Sequence, residues 1–173
     1  MRNQSSIDID RPASEVFEYV TEPKNAAYWQ VQVKRFELVN RTSGVGNQTR
    51  WVMDAGPYES EVIETCVAFD PPTTFASKHQ LTRFLSGPAP SPGDSPLSRD
   101  DLRAHFQSAY GRREVGGLVV VNVTPTGPDS CNLEFRMETQ IGGTAWVVTR
   151  IQKLFGRNAL KESLAKLKHL LEA

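Results

Sequence analysis

The sequence predicts an α+β fold: a curved antiparallel sheet of about six to seven strands wrapped around a long C-terminal helix. Three observations predict it. Thr144 to Leu171 lacks proline and repeats apolar residues at helical spacing. Strand-like runs separated by short turns fill much of the chain before it, as in a meander. The last of those runs, Cys131 to Thr139, alternates Cys131, Leu133, Phe135 and Met137 against Asn132, Glu134, Arg136 and Glu138. One face of the sheet is therefore wet and the other needs a cover, which only the last helix is long enough to supply.

Taken in order, Ser6 to Asp10 alternates Ile7 and Ile9 with two aspartates, which predicts a short strand. Pro12 suits a helix start, and Val16, Phe17 and Val20 share a face of a short helix over Ser14 to Val20. Glu22 to Trp29 reads as a second short helix. Val31 to Val39 is a strand whose alternation shifts between Val33 and Phe36. Asn47 to Asp54 places Thr49, Trp51 and Met53 on one face. Tyr58 to Phe69 is a long strand whose two faces, Ile63/Val67/Phe69 and Val62/Cys66/Ala68, are equally apolar. After the Asp70-Pro71-Pro72 turn, Thr73 to Leu81 groups Phe75, Ser77, His79 and Leu81. Ser86 to Pro96 holds four prolines, two glycines and three serines, so it is neither helix nor central strand. Ser98 to Tyr110 then predicts a helix capped by Ser98, with Leu102, His105, Phe106 and Ala109 on one side. Glu114 to Thr124, rich in valine, is a strand, and Pro125 to Ser130 is a hairpin loop.

The 173 residues form one domain over 1–173, large enough for a core. Twenty basic and twenty acidic residues argue against a general electrostatic grip on nucleic acid. No apolar run reaches the length of a transmembrane helix, and Met1 to Asp10 is too polar for a secretory signal. With only Cys66 and Cys131, the expectation is a cytoplasmic protein with reduced thiols. No His/Cys cluster has metal spacing, and no phosphate-loop or dinucleotide motif occurs, so neither a metal nor a cofactor is expected.

The opening Ile7-Asp8-Ile9-Asp10-Arg11-Pro12-Ala13-Ser14-Glu15-Val16-Phe17 resembles that of the START/Bet v 1-like superfamily, especially its polyketide cyclase/dehydrase-type members. Glu22-Pro23 to Trp29 is similar to their second helix, Asp70-Pro71-Pro72 to a turn between their middle strands, and Leu164 to Glu172 to their ending. The resemblance implies a helix-grip fold with a deep apolar cavity for lipids, polyketides, sterols or similar molecules. It implies no single activity, because such domains include enzymes, carriers, sensors and interaction modules.

Two features depart from that pattern. An insert at about 82–110 replaces a short hairpin. Its second half is read either as a lid over the cavity mouth, through Phe106 and Tyr110, or as a plain excursion. Within the last helix, Val147, Ile151, Leu154 and Phe155 lie nearly opposite Leu160, Leu164, Leu167 and Leu171 at about 100° per residue. Three explanations stand open. The helix is interrupted near Gly156; its first half packs on the insert or on a second copy of the chain, making a homodimer; or Arg150 and Lys153 face the cavity and meet an anionic group.

The expected ligand-binding residues are Trp29, Trp51, Met53, Phe75, His79, Phe106, Tyr110, Phe135, Trp146 and Arg150. His79 is the acid–base candidate, with Asp54, Glu61 and Glu64 as carboxylates within the same sheet that otherwise read as solvated surface. The leading expectation is a protein that binds a hydrophobic or amphipathic, lipid- or polyketide-like molecule in an internal cavity, with cyclase/dehydrase-like proton transfer as the implied chemistry. The alternative is a non-catalytic carrier or a protein-interaction module using the insert or the final helix.

Overall fold

The computed structural model describes residues 2–40, 43–55, 58–86, 116–140 and 146–173, with side chains described for all of these except 55, 58, 83, 84, 86, 116, 139, 140 and 146–157. The expected helix at Ser98 to Tyr110, with Phe106 and Tyr110, lies outside the described residues, as does most of the insert. The elements run β1 (Arg2–Ile9), α1 (Ala13–Thr21), α2 (Pro23–Trp29), β2 (Val33–Leu38), β3 (Gln48–Ala55), β4 (Tyr58–Asp70), β5 (Thr74–Ser86), β6 (Gly116–Gly127), β7 (Ser130–Gln140) and α3 (Trp146–Glu172). The seven strands form one antiparallel sheet in the order β1-β7-β6-β5-β4-β3-β2. No helix among the described residues is long and apolar enough to cross a membrane.

The first strand leads directly into two short helices because proline stands at both helix starts. Pro12 occupies the N-cap of α1, and its carbonyl accepts from Val16 N at 3.2 Å. Pro23 opens α2, where its missing N–H costs nothing. Both helices lay small and aromatic residues inward: Ala13, Val16 and Phe17 from α1, Ala26 and Trp29 from α2.

Beta bulges account for the two ambiguous strands. Pairing of β2 with β3 shifts between Val33 and Arg35, so Val33 and Phe36 can both pack beside Trp51. Pairing of β4 with β5 shifts between Cys66 and Ala68. Alternation therefore changes phase within β4, and each of the two apolar sets read from the sequence straddles the bulge. Val62, Glu64 and Cys66 face inward before it, and Phe69 meets Phe17 after it at 5.6 Å between ring centroids. The β2–β3 turn needs left-handed backbone at Gly44 (φ 73°) and Gly46 (φ 90°), a conformation glycine adopts without steric cost.

Several strand limits differ from the expected ones, and β1 already begins at Arg2 rather than Ser6, because it is paired with β7 from Arg2↔Glu138 onward. β5 continues through Ser86, into what was expected to be the insert, because it stays paired with β4 as far as Glu59↔Ser86. The β6–β7 loop is shorter than Pro125 to Ser130, since pairing bulges past Pro125 and resumes at Gly127↔Ser130.

The last helix is continuous from Trp146 to Glu172, so of the three explanations the interruption near Gly156 does not hold. A single helical glycine costs only about 1 kcal/mol, which packing of the later leucines readily offsets. Leu164 and Leu167 are almost fully buried, and burial of each contributes about 1.5–3 kcal/mol. Polar ties fix the helix end against the start of the chain. Lys168 Nζ donates to Asp8 O at 2.6 Å, Asp10 N donates to Glu172 Oε1 at 2.7 Å, and Arg11 Nε donates to Leu171 O. The Asp10 amide, with help from Lys168, holds the Glu172 carboxyl below its ordinary value. Farther back, Val31 N donates to Ser163 Oγ at 3.1 Å and joins the end of α2 to α3.

Candidate ligand cavity

Side chains do not fill all the space between the sheet and α3. Between them and α2 lies a cavity of about 110 Å³. Its wall comes from every layer of the fold: Trp29 from α2, Trp51 and Met53 from β3, Phe75 from β5, Phe135 from β7 and Leu160 from α3. Of the ten expected ligand-binding residues, Trp29, Trp51, Met53, Phe75, His79 and Phe135 line it. Phe106 and Tyr110 lie outside the described residues, and Trp146 and Arg150 occupy the first turns of α3 with undescribed side chains.

One polar cluster stands on this mainly apolar wall. Glu64 on β4 and His79 on β5 are register partners, so their side chains leave the same face of the sheet side by side. His79 Nε2 lies 3.2 Å from Glu64 Oε1 and 3.2 Å from Ser77 Oγ. Trp51 Nε1 donates to Glu64 Oε2 at 2.5 Å. The side chains of His79 and Glu64 are 21% and 13% exposed, so the pair sits in a largely dry setting.

Burial pushes the Glu64 carboxyl up, but the His79 charge and hydrogen bonds from His79, Ser77 and Trp51 outweigh it and hold the carboxyl below its ordinary value. Glu64 is thus an ionised carboxylate with both oxygens engaged. An acceptor so fully occupied orients its neighbours better than it takes up a proton. His79 Nε2 faces both the Glu64 carboxylate and the Ser77 hydroxyl, which together fix the orientation of the ring.

The other expected carboxylates part company here. Asp54 is surface, as expected, and pairs with Lys34 at 2.9 Å. Glu61 lies on the opposite face from the cavity but is buried, and Thr82 Oγ1 donates to it at 2.8 Å. Glu64 was also expected as solvated surface and instead enters the cavity, because the bulge sets the phase of β4. Cys66 lines the cavity too, and burial, followed by the Glu64 charge, pushes its thiol up, which makes it a poor nucleophile. Thr49, read on the same face as Trp51 and Met53, joins them on the wall, while Asn47, Gln30 and Ser163 add polar groups that sequence reading did not single out. Those three come from loops and helices, where no strand alternation marks them.

A seven-stranded antiparallel sheet gripping a C-terminal helix is the START-like, helix-grip fold, which defines the class of protein. Residues 2–91 match the family described as polyketide cyclase / dehydrase and lipid transport, and the chain belongs to that family. Several solved structures share the fold. A conserved protein from Geobacillus kaustophilus superposes with a TM-score of 0.69 at 13% identity, covering 99% of this chain and 95% of that one. A START superfamily protein from Mycobacterium smegmatis gives 0.62 at 13% identity, covering 99% and 97%. A Mesorhizobium loti protein gives 0.64 at 14% identity, with the same coverage. Comparison with curated proteins finds no match.

Proposed function

We propose that this chain is one domain over 1–173 that takes a lipid- or polyketide-like molecule into the cavity and moves a proton on it through His79. The observation that carries the reading is the one buried carboxylate–histidine pair among the described residues, Glu64–His79, set in an otherwise mainly apolar enclosure. The apolar wall holds and folds the ligand by excluding water. The Glu64 carboxylate fixes the imidazole, and the dry setting strengthens their coupling. The buried free thiols Cys66 and Cys131 support a cytoplasmic setting, where such thiols stay reduced.

The test exposes wild type and His79→Ala to a lipophilic extract of the organism of origin and follows the retained molecules by mass spectrometry. The reading expects both to retain one hydrophobic class and only wild type to convert it. Retention without conversion by either protein would leave the alternative, a non-catalytic carrier. Equal conversion by both would remove His79 as the proton-transfer group.

A further inference from the structure

The two edges of the sheet are treated differently. Along β1 the end of α3 ties down the edge strand, with Lys168 Nζ donating to Asp8 O and Glu172 accepting from Asp10 N. At the other edge, β2 has β3 on one side and no strand among the described residues on its other side. Val39 N donates to Gln48 O at 2.9 Å, and the same row of pairing contains Glu37↔Arg50. Backbone groups of an antiparallel pair alternate in direction, so those of Phe36 and Leu38 point away from β3. Outward groups of this kind are a template for another strand, and proteins often blunt such an edge with lysine or proline. The strand Val33–Leu38 has no proline. Its one lysine, Lys34, is drawn back onto its own sheet, where Nζ meets Asp54 at 2.9 Å and Glu59 at 3.3 Å.

We propose that β2 pairs antiparallel with β2 of a second copy of this chain, centred on Phe36, joining the two sheets across a two-fold axis. The residues themselves choose that register. With Phe36 opposite Phe36, the outward backbone groups of each copy exchange both hydrogen bonds. Arg35 then lies opposite Glu37 of the other copy, and the symmetry makes this pair twice. Both side chains are exposed and leave the face of the sheet opposite Trp51. Arg35 comes no nearer than 3.9 Å to its listed neighbour Glu59, while Arg50 holds Glu37 in place at 2.7 Å. On the inner face the two Phe36 rings meet, each backed by its own Trp51 at 5.7 Å. Centring the pairing on Arg35 or on Glu37 would instead set like charges face to face, which is unfavourable.

Sedimentation velocity from about 5 to about 500 µM tests it, a range suited to so short an interface. Wild type passes from monomer to dimer as concentration rises. Arg35→Glu and Glu37→Arg each place like charges opposite one another, and each weakens self-association about 10-fold or more. Mixed together, the two variants dimerise with one another, because each supplies the charge that the other lacks. Both positions are exposed, so both variants keep the circular dichroism spectrum of wild type. Hydrogen exchange reads the edge directly, and the Phe36 amide gains protection as wild type dimerises. Any of four results overturns the proposal. Wild type that stays monomeric throughout leaves the edge to a strand of a different protein. A dimer that both variants retain places the contact elsewhere on the molecule. Mixed variants that stay monomeric remove this register. A Phe36 amide already protected in the dilute monomer means that another part of the chain covers the edge.

Discussion

Glu64 carries the most information of any residue, because its role depends on one bulge. Read as plain alternation, β4 leaves its faces undecided and makes Glu64 surface. The register shift between Cys66 and Ala68 places it opposite His79 and inside the cavity. Its folded carboxyl is held below the ordinary value of about 4.3, so its ionised form stabilises the fold. That contribution is present above the unfolded value and is lost as pH falls through the folded one. The lead of wild type over Glu64→Gln in urea midpoint is therefore expected to be full above about pH 4.3 and to shrink below it. A lead that widens on acidification would contradict the assignment. His79 itself was legible as a candidate from its position two residues from Ser77 and four from Phe75, since strand periodicity puts all three on one face. Its carboxylate partner was legible only as one of Asp54, Glu61 and Glu64, because a bulge leaves no mark in residue type.

At the scale of elements, the decisive one is α3. Its later stripe, Leu160, Leu164, Leu167 and Leu171, was readable at helical spacing and packs as read. Continuity through Gly156 was not readable, because a lone glycine is tolerated or breaks a helix according to what packs around it. The burial contrast within the last turns gives a paired prediction. Leu167 is 0% exposed and Leu170 is 42% exposed. Leu167→Ala should cost about 2–5 kcal/mol. Leu170→Ala should stay within about 0.5 kcal/mol of wild type. Chemical denaturation of both variants checks this, and equal losses would mean that α3 grips the sheet on a different face. A smaller effect is expected where the helix is tied to the start of the chain. Lys168→Met removes the donor to Asp8 O and the partner of Glu172, both exposed. The expected loss is about 1 kcal/mol or less, and it should diminish further in high salt.

For the whole molecule, the strand order and the cavity follow from one geometric fact. A meander whose first strand returns to pair with its last places β1 at one sheet edge and β2 at the other, with the two short helices between them in sequence. The chain must cross from edge to edge there, and α1 and α2 carry it beside α3. The three layers enclose a space that no local pattern encodes. Aromatic residues at inward positions signalled that such a space exists, since Trp29, Trp51, Phe75 and Phe135 are too large and too scattered in sequence to belong to one strand pair. Its polar groups from loops and helices, such as Asn47, Gln30 and Ser163, converge only on folding.

The central claim is that this enclosure holds a hydrophobic small molecule. Native mass spectrometry of the protein purified gently from its organism of origin tests it most directly, with a cavity-crowding Cys66→Phe variant for comparison. Wild type is expected to carry one bound molecule per chain, extractable into organic solvent, with a marked loss of that adduct in a variant that remains folded. Wild type free of any adduct and unable to take one up from a lipophilic extract would contradict it, as would an adduct that the crowded variant keeps undiminished.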